Sequence, residues 1–363
     1  MDNEGQAKVN ILIIKLSAIG DVIHTLPSLS ALRGLYPDAD ITWVIEEASS
    51  DIIKDHPLLD RVIVSRRKKW MADLKKLHGV SRTIREIRTF ISRLRDRQYD
   101  LVIDFHGLFK SSLIVLLSGG KRKLGYDSMQ ELSGLFLNEK IHEDMGKHAV
   151  DRYLDFLRHL GSDTGDKEFL IPIQKENKDR VEKLLNIPKI DIENKDCPTV
   201  LEGSMSILGN INNIDIKKRF VAVNPMAFWE TKLWEDEKFA GLCDRITKEL
   251  RAKVVFTGGG GDGMIEHIQS LMSHPSVNLG GKTTLKDLAY LYKLASLVIT
   301  TDSGPMHIAA AMRTPVVALF GPTDPLRTGP YGEGHVVIRK EMPCSPCFLK
   351  KCDSRKCMKE ITA

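Results

Sequence analysis

Short runs of hydrophobic residues alternate along this chain with segments in which apolar positions recur at helical spacing. The runs predict buried strands and the periodic segments predict helices. Strands are predicted at residues 9–15, 40–45, 61–64 and 100–105 in the first half of the chain, and at residues 220–225, 253–257, 297–300 and 316–320 in the second half. Strands that alternate with helices predict the α/β fold class, with parallel sheets and right-handed crossovers.

The length of 363 residues favours two domains rather than one. We expect an N-terminal Rossmann-like domain at 9–175 and a C-terminal Rossmann-like domain at 220–340, with a cleft between these two doubly wound domains. Residues 186–218 have no clear period and are rich in Asn, Asp and Ile, so 176–219 is predicted to be a linker or insertion. A cysteine-containing tail follows at 341–363.

Charge and hydropathy restrict the class of protein. No apolar run approaches the ~20 residues needed to span a bilayer, and the N-terminus lacks a signal-peptide pattern, so we expect a cytoplasmic protein without a transmembrane segment. The net charge is +5, and basic residues cluster at 66–69, 75–76 and 121–123. Such clusters bind anionic lipids, nucleic acid or phosphorylated substrates, or form a solvated helix surface.

Four of the six cysteines lie in the tail, at positions 344, 347, 352 and 357. Disulfides are not expected in a cytosolic protein. The CysX2Cys pair is a common half-site for zinc, but the second half is more widely spaced than in usual zinc ribbons. The alternative is that these cysteines are packed or free thiols.

The most informative segment joins the predicted strand at 297–300 to an alanine-rich helix. It places Asp302, Ser303, Gly304 and His307 where a strand ends and a helix begins, which is the position at which open α/β sheets bind ligands. Free backbone N–H groups and the positive helix end favour an anion there. A second polar turn after 316–320 suggests one crevice for a phosphorylated ligand. His307 could instead be a core histidine.

Three further candidates follow predicted strands. Asp21 could cap the first helix or act as a general base. Lys232 could hold a diphosphate or be a surface lysine between two tryptophans. The glycine run 258–261 could cradle phosphate or ribose, and Asp262 could bind ribose hydroxyls or cap a helix. The first turn lacks the GlyXGlyXXGly pattern, which disfavours a dinucleotide.

Together these residues carry a family resemblance that covers most of the chain. The motifs KLSAIGDVIHTLP (15–27), DSGPMHIAAA (302–311) and LFGPTDP (319–325) resemble those of the heptosyltransferases of lipopolysaccharide inner-core assembly, glycosyltransferase family 9. The segments WVIEE (43–47), DFHGLFKS (104–111) and HAVDR (148–152) are more similar to type I than to type II members of that family.

The resemblance implies a GT-B fold with an acceptor domain followed by a nucleotide-sugar domain. It implies inverting transfer of L-glycero-D-manno-heptose from ADP-heptose to Kdo of Kdo2-lipid A, without a metal or other cofactor. We expect the protein to bind these two substrates and not to bind nucleic acid. The acceptor lies in a membrane, so the expected location is the cytoplasm, peripheral on the inner face of the inner membrane.

The resemblance also implies residue roles. Asp21 corresponds to the general base. The expected donor-site residues are Lys232, Ser303 and Gly304 on the diphosphate, Asp302 and His307 lining the site, and Asp262 as the best match for a ribose-binding acid. The expected acceptor-binding residues are Arg66, Arg67 and Lys110. Position 303 is often Thr in the family, but Ser keeps the hydroxyl.

Other functions remain open from sequence. One alternative is another family 9 transferase, of type II or III or with a different donor sugar. A non-catalytic nucleotide-sugar-binding protein is disfavoured because Asp21, Lys232 and Asp302 are all retained. An epimerase of the same architecture is disfavoured by the different opening motif.

Overall fold

The computed structural model describes residues 8–76, 79–128, 134–163, 165, 167–186, 220–261 and 263–363. The chain divides into two compact units, one up to Pro172 and one from Ile173. Most of the predicted insertion and Asp262 lie outside the described residues.

The first unit contains a six-stranded parallel sheet with helices in its crossovers. Its strands are β1 (Asn10–Ile14), β2 (Asp40–Glu46), β3 (Arg61–Ser65), β4 (Leu101–Asp104), β5 (Arg122–Tyr126) and β6 (Glu139–Ile141). Its helices are α1 (Ile19–Leu35), α2 (Arg67–Lys75), α3 (Val80–Arg95), α4 (Phe109–Ser118) and α5 (Ala149–His159). The strand order is β3-β2-β1-β4-β5-β6.

The second unit also contains a six-stranded parallel sheet. Its strands are β7 (Phe220–Asn224), β8 (Lys253–Phe256), β9 (Val277–Asn278), β10 (Leu297–Thr301), β11 (Val316–Phe320) and β12 (Val336–Arg339). Its helices are α6 (Lys175–Leu185), α7 (Asp236–Leu250), α8 (Met264–Leu271), α9 (Leu285–Leu294), α10 (Gly304–Ala311), α11 (Pro325–Thr328) and α12 (Lys356–Lys359). The order β12-β11-β10-β7-β8-β9 is the order of the first sheet seen from its opposite edge.

Both sheets therefore have the doubly wound Rossmann topology, in which the strand order reverses beside the first strand. The reversal lies between β1 and β4 in one unit and between β7 and β10 in the other. Ligands of open α/β sheets bind outside the carboxyl ends of the strands at this point. The predicted fold class, two Rossmann-like α/β domains, is confirmed.

Apolar side chains from both faces of β1 are fully buried, as expected for a central parallel strand. Leu12 and Ile14 pack in a cluster with Trp70, Phe90 and Leu94 from the helices on one face of the sheet. This packing fixes the carboxyl end of β1, where the chain turns into α1. Among the described residues, none of the helices has the length and apolar character that a bilayer crossing requires.

The sequence missed the short edge strands. The strands predicted from the sequence ended with 316–320, but β12 follows and pairs with β11 through Val336 and Val317. Its burial pattern has no fully buried position, and β9 has only two residues. Edge strands with one open side lack the continuous hydrophobic run that marks a central strand.

The start of the predicted insertion is an ordered helix of the second unit. Asn177 Nδ2 donates to Asp287 Oδ1 at 2.8 Å, and Arg180 Nη1 lies 3.0 Å from Asp287 Oδ2. These contacts attach α6 to α9, in which Asp287 is buried.

Candidate functional site

Lys15 directly follows β1 and is buried at the carboxyl end of the first sheet. Its Nζ donates to the carbonyl oxygen of Phe105 at 2.9 Å and to the Tyr153 hydroxyl at 2.5 Å. Burial lowers the pKa of Lys15, and the nearby carboxylates of Asp21 and Asp104 oppose that change. The lysine thus places a cation beneath the turn that leads into α1.

Asp21 lies in the first turn of α1 and is partly exposed. Its Oδ2 accepts a hydrogen bond from the Ala18 backbone N–H at 3.0 Å, and its Oδ1 accepts one from the Tyr153 hydroxyl at 3.4 Å. Burial and the negative charge of Asp21 raise the pKa of Tyr153 well above its ordinary value, which keeps the phenol protonated as a donor. The carboxylate therefore caps the helix and is held in a defined orientation while staying partly exposed.

Glu46 ends β2 and is almost fully buried. Its Oε1 accepts from Nε and Nη2 of Arg67 at 3.2 and 3.0 Å and lies 3.7 Å from Lys110 Nζ. Lys68 Nζ lies 3.8 Å from Oε2. Lys110 also donates to the Ser17 hydroxyl at 3.1 Å, beside the turn before α1. One carboxylate therefore gathers three cations, and their excess positive charge suits an anionic ligand.

Arg66 is placed differently from Arg67, although both were predicted to bind the acceptor. Its Nε lies 2.8 Å from Glu47 Oε1, and both side chains are about half exposed. The structure thus brings Arg67 and Lys110 together and leaves Arg66 in a surface pair.

The turn after β4 is shaped by the buried carboxylate of Asp104. Its Oδ1 accepts from the backbone N–H groups of His106 and Gly107 at 2.9 and 3.2 Å. Its Oδ2 accepts from the Ser111 hydroxyl at 2.8 Å. These bonds fix the position of His106 at the carboxyl end of the sheet.

The imidazole of His106 is held neutral. Burial, reinforced by the positive charges of Lys15, Lys110 and Arg67, lowers its pKa to about 2. His106 therefore lies within electrostatic reach of both the Lys15 and the Glu46 groups, and it can serve only as a neutral hydrogen-bonding group there.

In the second unit, Lys232 and Asp302 form an ion pair at the carboxyl end of the sheet. Lys232 Nζ lies 2.6 Å from Asp302 Oδ2, and both side chains are largely buried. Asp302 Oδ2 also accepts from the Thr323 hydroxyl at 2.5 Å. The Lys232 ammonium lies 4.5 Å from the centroid of the Trp229 ring. Side chains that follow β7, β10 and β11 thus converge on one point.

The N-terminus of α10 lies next to this ion pair. Ser303 is the residue before the helix, and its hydroxyl lies 3.3 Å from that of Thr300. Gly304 opens the helix, whereas His307 is buried one turn further along. The predicted donor residues Lys232, Asp302, Ser303 and Gly304 are therefore adjacent.

Two positions of the glycine run 258–261, Gly258 and Gly260, are packed too closely for a side chain. A Cβ on Gly258 would lie 2.3 Å from Met226 Sδ, and one on Gly281 would lie 2.9 Å from the Cα of Gly260. Gly259 and Gly261 face open space. A phosphate or ribose contact by this run stays a prediction.

The end of the tail is part of the hydrophobic core of the second unit. Cys357 and Met358 pack in that core, and a Cβ on Gly321 would lie 2.6 Å from Met358 Sδ. Burial raises the pKa of Cys357, so the thiol stays protonated and packs as a small apolar group. Among the described residues, no group of three or more His, Cys, Asp or Glu side chains is arranged to hold a metal ion.

Sequence reasoning missed Lys15, Glu46 and Tyr153. Lys15 and Glu46 each stand at the end of a hydrophobic run, a signal that could have marked them as strand-end residues. Tyr153 reaches Asp21 from α5, 132 residues later, and no local pattern indicates that contact.

Comparison with known proteins gives consistent matches. A sequence model of glycosyltransferase family 9 (heptosyltransferase) matches residues 87–358. Lipopolysaccharide heptosyltransferase 1 of Pseudomonas aeruginosa is 27% identical, over 95% of this chain and 87% of that protein.

Two solved structures have the same fold. The first is a glycosyl transferase of family 9 from Veillonella parvula, with a TM-score of 0.70 and 26% identity over 91% of this chain and 85% of that one. The second is the E. coli heptosyltransferase WaaC with ADP, with a TM-score of 0.67 and 24% identity over 91% and 92%. The predicted GT-B fold is confirmed.

Proposed function

This chain belongs to glycosyltransferase family 9, the heptosyltransferase family, and we propose that it transfers L-glycero-D-manno-heptose from ADP-heptose to Kdo of Kdo2-lipid A. The similarity to a lipopolysaccharide heptosyltransferase 1 over almost the whole chain supports the choice of reaction. The observation that supports this proposal most strongly is that each sheet has charged side chains at its carboxyl end, beside the point where the strand order reverses. The first unit offers a partly exposed carboxylate, and the second offers a cation next to a helix N-terminus.

The donor binds the second unit. Lys232 and the open N–H groups at the start of α10 suit a diphosphate, and the WaaC structure with ADP supports a nucleoside diphosphate. Negative charge grows on the leaving diphosphate as the sugar departs, so fixed positive groups stabilise the transition state more than the bound donor. Asp302 orients Lys232 and is itself oriented by Thr323.

Asp21 is the general base. It removes the proton from the attacking Kdo hydroxyl while that oxygen forms its bond to the anomeric carbon and the diphosphate leaves from the opposite face, which inverts the centre. The hydrogen bonds from Ala18 and Tyr153 hold the carboxylate in one orientation. Lys15, bonded to Tyr153, adds a nearby positive charge.

The acceptor binds the cations around Glu46. Kdo is a carboxylated sugar, and the planar fork of Arg67 with the ammonium of Lys110 matches a carboxylate. The acceptor is also a lipid, and α2 with its two flanking residues carries the basic residues of 66–69 and 75–76 together with exposed Met71 and Leu74. Basic residues beside exposed apolar side chains favour binding to an anionic membrane surface, so we place the protein on the inner face of the inner membrane.

The test is transfer in vitro with two acceptors. Purified protein is incubated with ADP-heptose and either Kdo2-lipid A or the same acceptor already carrying its first heptose, and the products are identified by mass spectrometry. We expect one heptosyl group to be added to Kdo2-lipid A only. Transfer restricted to the heptosylated acceptor would assign the protein to a later step, and transfer from a different nucleotide sugar would overturn the proposed donor.

A further inference from the structure

The C-terminal tail crosses the carboxyl end of the second sheet before it reaches the core. The backbone N–H groups of Cys347 and Phe348 both donate to the carbonyl oxygen of Pro322, at 3.0 and 2.8 Å. On the other side, the Thr231 hydroxyl donates to the carbonyl oxygen of Leu349 at 2.8 Å. The tail is thus bonded to the turn after β11 and to the turn after β7, the two turns that carry Thr323 and Lys232.

The far end of the tail is anchored firmly. Trp234 Nε1 donates to the carbonyl oxygen of Ile361 at 3.0 Å, and Cys357, Met358 and Ile361 are buried in the core of the second unit. The segment between these attachments is therefore held in place although most of its side chains, Lys350 among them, are exposed. A charge carried by that segment is preorganised, which lowers the entropy cost of using it to bind a ligand.

Lys350 is a positively charged residue on this anchored segment. Its Nζ lies 5.4 Å from the centroid of the Trp229 ring, and Lys232 Nζ lies 4.5 Å from the same centroid. Lys232 is already paired with Asp302 at 2.6 Å, whereas no ion pair joins Lys350 to a carboxylate within the described part of the chain. The Trp229 ring thus lies near two ammonium groups, and of these Lys232 is paired with a carboxylate.

We propose that Lys350 binds the diphosphate of the nucleotide donor together with Lys232, which makes the tail a functional part of the donor site. A diphosphate carries at least two negative charges, and the Lys232–Asp302 pair alone offers no net positive charge. The N-terminus of α10 contributes roughly half a charge, so a second ammonium group would bring the site closer to the charge of a diphosphate. This inference rests on the proposed function, since it assumes that the second unit binds the donor.

The experiment compares neighbouring lysines in the full-length protein. Calorimetry with ADP and with adenosine is performed on the parent protein and on Lys350→Ala, Lys350→Arg and Lys351→Ala. Lys351 is the matched control, because it is an exposed lysine one position away. We expect Lys350→Ala to weaken ADP binding about tenfold, as for loss of one charged hydrogen bond, and to leave adenosine binding unchanged. Lys350→Arg should keep the ADP affinity of the parent because it retains the positive charge, and Lys351→Ala should bind ADP with the parent's affinity.

The outcomes separate this inference from the donor assignment. Parent-like ADP binding by Lys350→Ala, with weakened binding by Lys232→Ala, would overturn the role of Lys350 and leave the donor site intact. Equal losses in Lys350→Ala and Lys351→Ala would reduce the effect to general surface charge and overturn it as well. If the parent protein failed to bind ADP, the proposed donor and the role of Lys350 would both be wrong.

Discussion

The Nζ of Lys15 lies 2.5 Å from the hydroxyl of Tyr153, a residue 138 positions later in the chain. The same hydroxyl donates to Asp21 at 3.4 Å, so a buried cation is linked through one phenol to the proposed base. In this arrangement Tyr153 is a positioning residue, because it acts on the reaction through Asp21.

Tyr153→Phe should lower kcat about tenfold and leave the affinity for ADP unchanged. The variant keeps the ring, which packs edge-on against Phe105, and removes only the hydroxyl. Loss of a hydrogen bond to a charged group costs roughly 1.5 kcal/mol, which corresponds to about tenfold in rate. Tyr126→Phe is the control, since Tyr126 is a buried tyrosine of the same unit that packs against Phe156. Equal effects of the two substitutions on kcat would contradict a specific role for Tyr153.

How far the site could be predicted depends on whether its contacts are local. Asp21 and Asp302 follow central strands, whose hydrophobic runs mark the carboxyl edge of a parallel sheet, so sequence alone indicated them. The link from Lys15 to Tyr153 depends on how α5 packs, which no local pattern reveals. Arg66 and Arg67 are indistinguishable in sequence, but they pair with Glu47 and Glu46, which differ greatly in burial.

Lys110→Met should raise the KM for the acceptor about tenfold with no change in ADP affinity. Lys110 lies between Ser17 and Glu46 beside the turn that carries Asp21, and a charged hydrogen bond to a Kdo carboxylate would be lost. Lys121→Met is the matched control, because Lys121 pairs with Asp100 at the amino end of the same sheet. Steady-state kinetics with varied acceptor test this, and an unchanged KM in Lys110→Met would move the acceptor site elsewhere.

Lys232→Ala should weaken ADP binding at least tenfold and also reduce kcat. The substitution removes a cation of the proposed diphosphate site and leaves the buried carboxylate of Asp302 without its ion-pair partner, while the Thr323 hydroxyl still donates to it. Breaking such a pair destabilises a fold by several kcal/mol at most, so thermal unfolding is measured alongside calorimetry. Lys253→Ala, at the amino end of β8, supplies the control. Parent-like ADP affinity in a folded Lys232→Ala protein would demote Lys232 to a structural residue.

His106 should make the first unit less stable at mildly acidic pH. Its folded-state pKa is about 2, below the ordinary value of 6.5, so between these values the unfolded chain binds the extra proton. The contribution of neutral His106 to the free energy of unfolding is therefore fully present above pH 6.5, and it is lost as the pH decreases through this window. At pH 5.5 the loss is about 1.4 kcal/mol.

Urea unfolding of the parent and of His106→Gln at pH 7.5 and 5.5 measures that loss. The other histidines are common to both proteins, so the difference between the two pH dependences isolates His106. We expect a smaller acid-induced shift of the urea midpoint in His106→Gln. Identical shifts would show that His106 titrates normally in the folded protein.

Asp21 is proposed to accept the proton from the attacking hydroxyl while the second unit binds the donor. The most direct test is the rate of heptosyl transfer to Kdo2-lipid A by Asp21→Asn, with ADP-heptose affinity measured on the same preparation. We expect a loss of about 10²- to 10⁴-fold in rate, as for removal of a general base, with donor affinity nearly unchanged. Near-parental turnover by Asp21→Asn would contradict it.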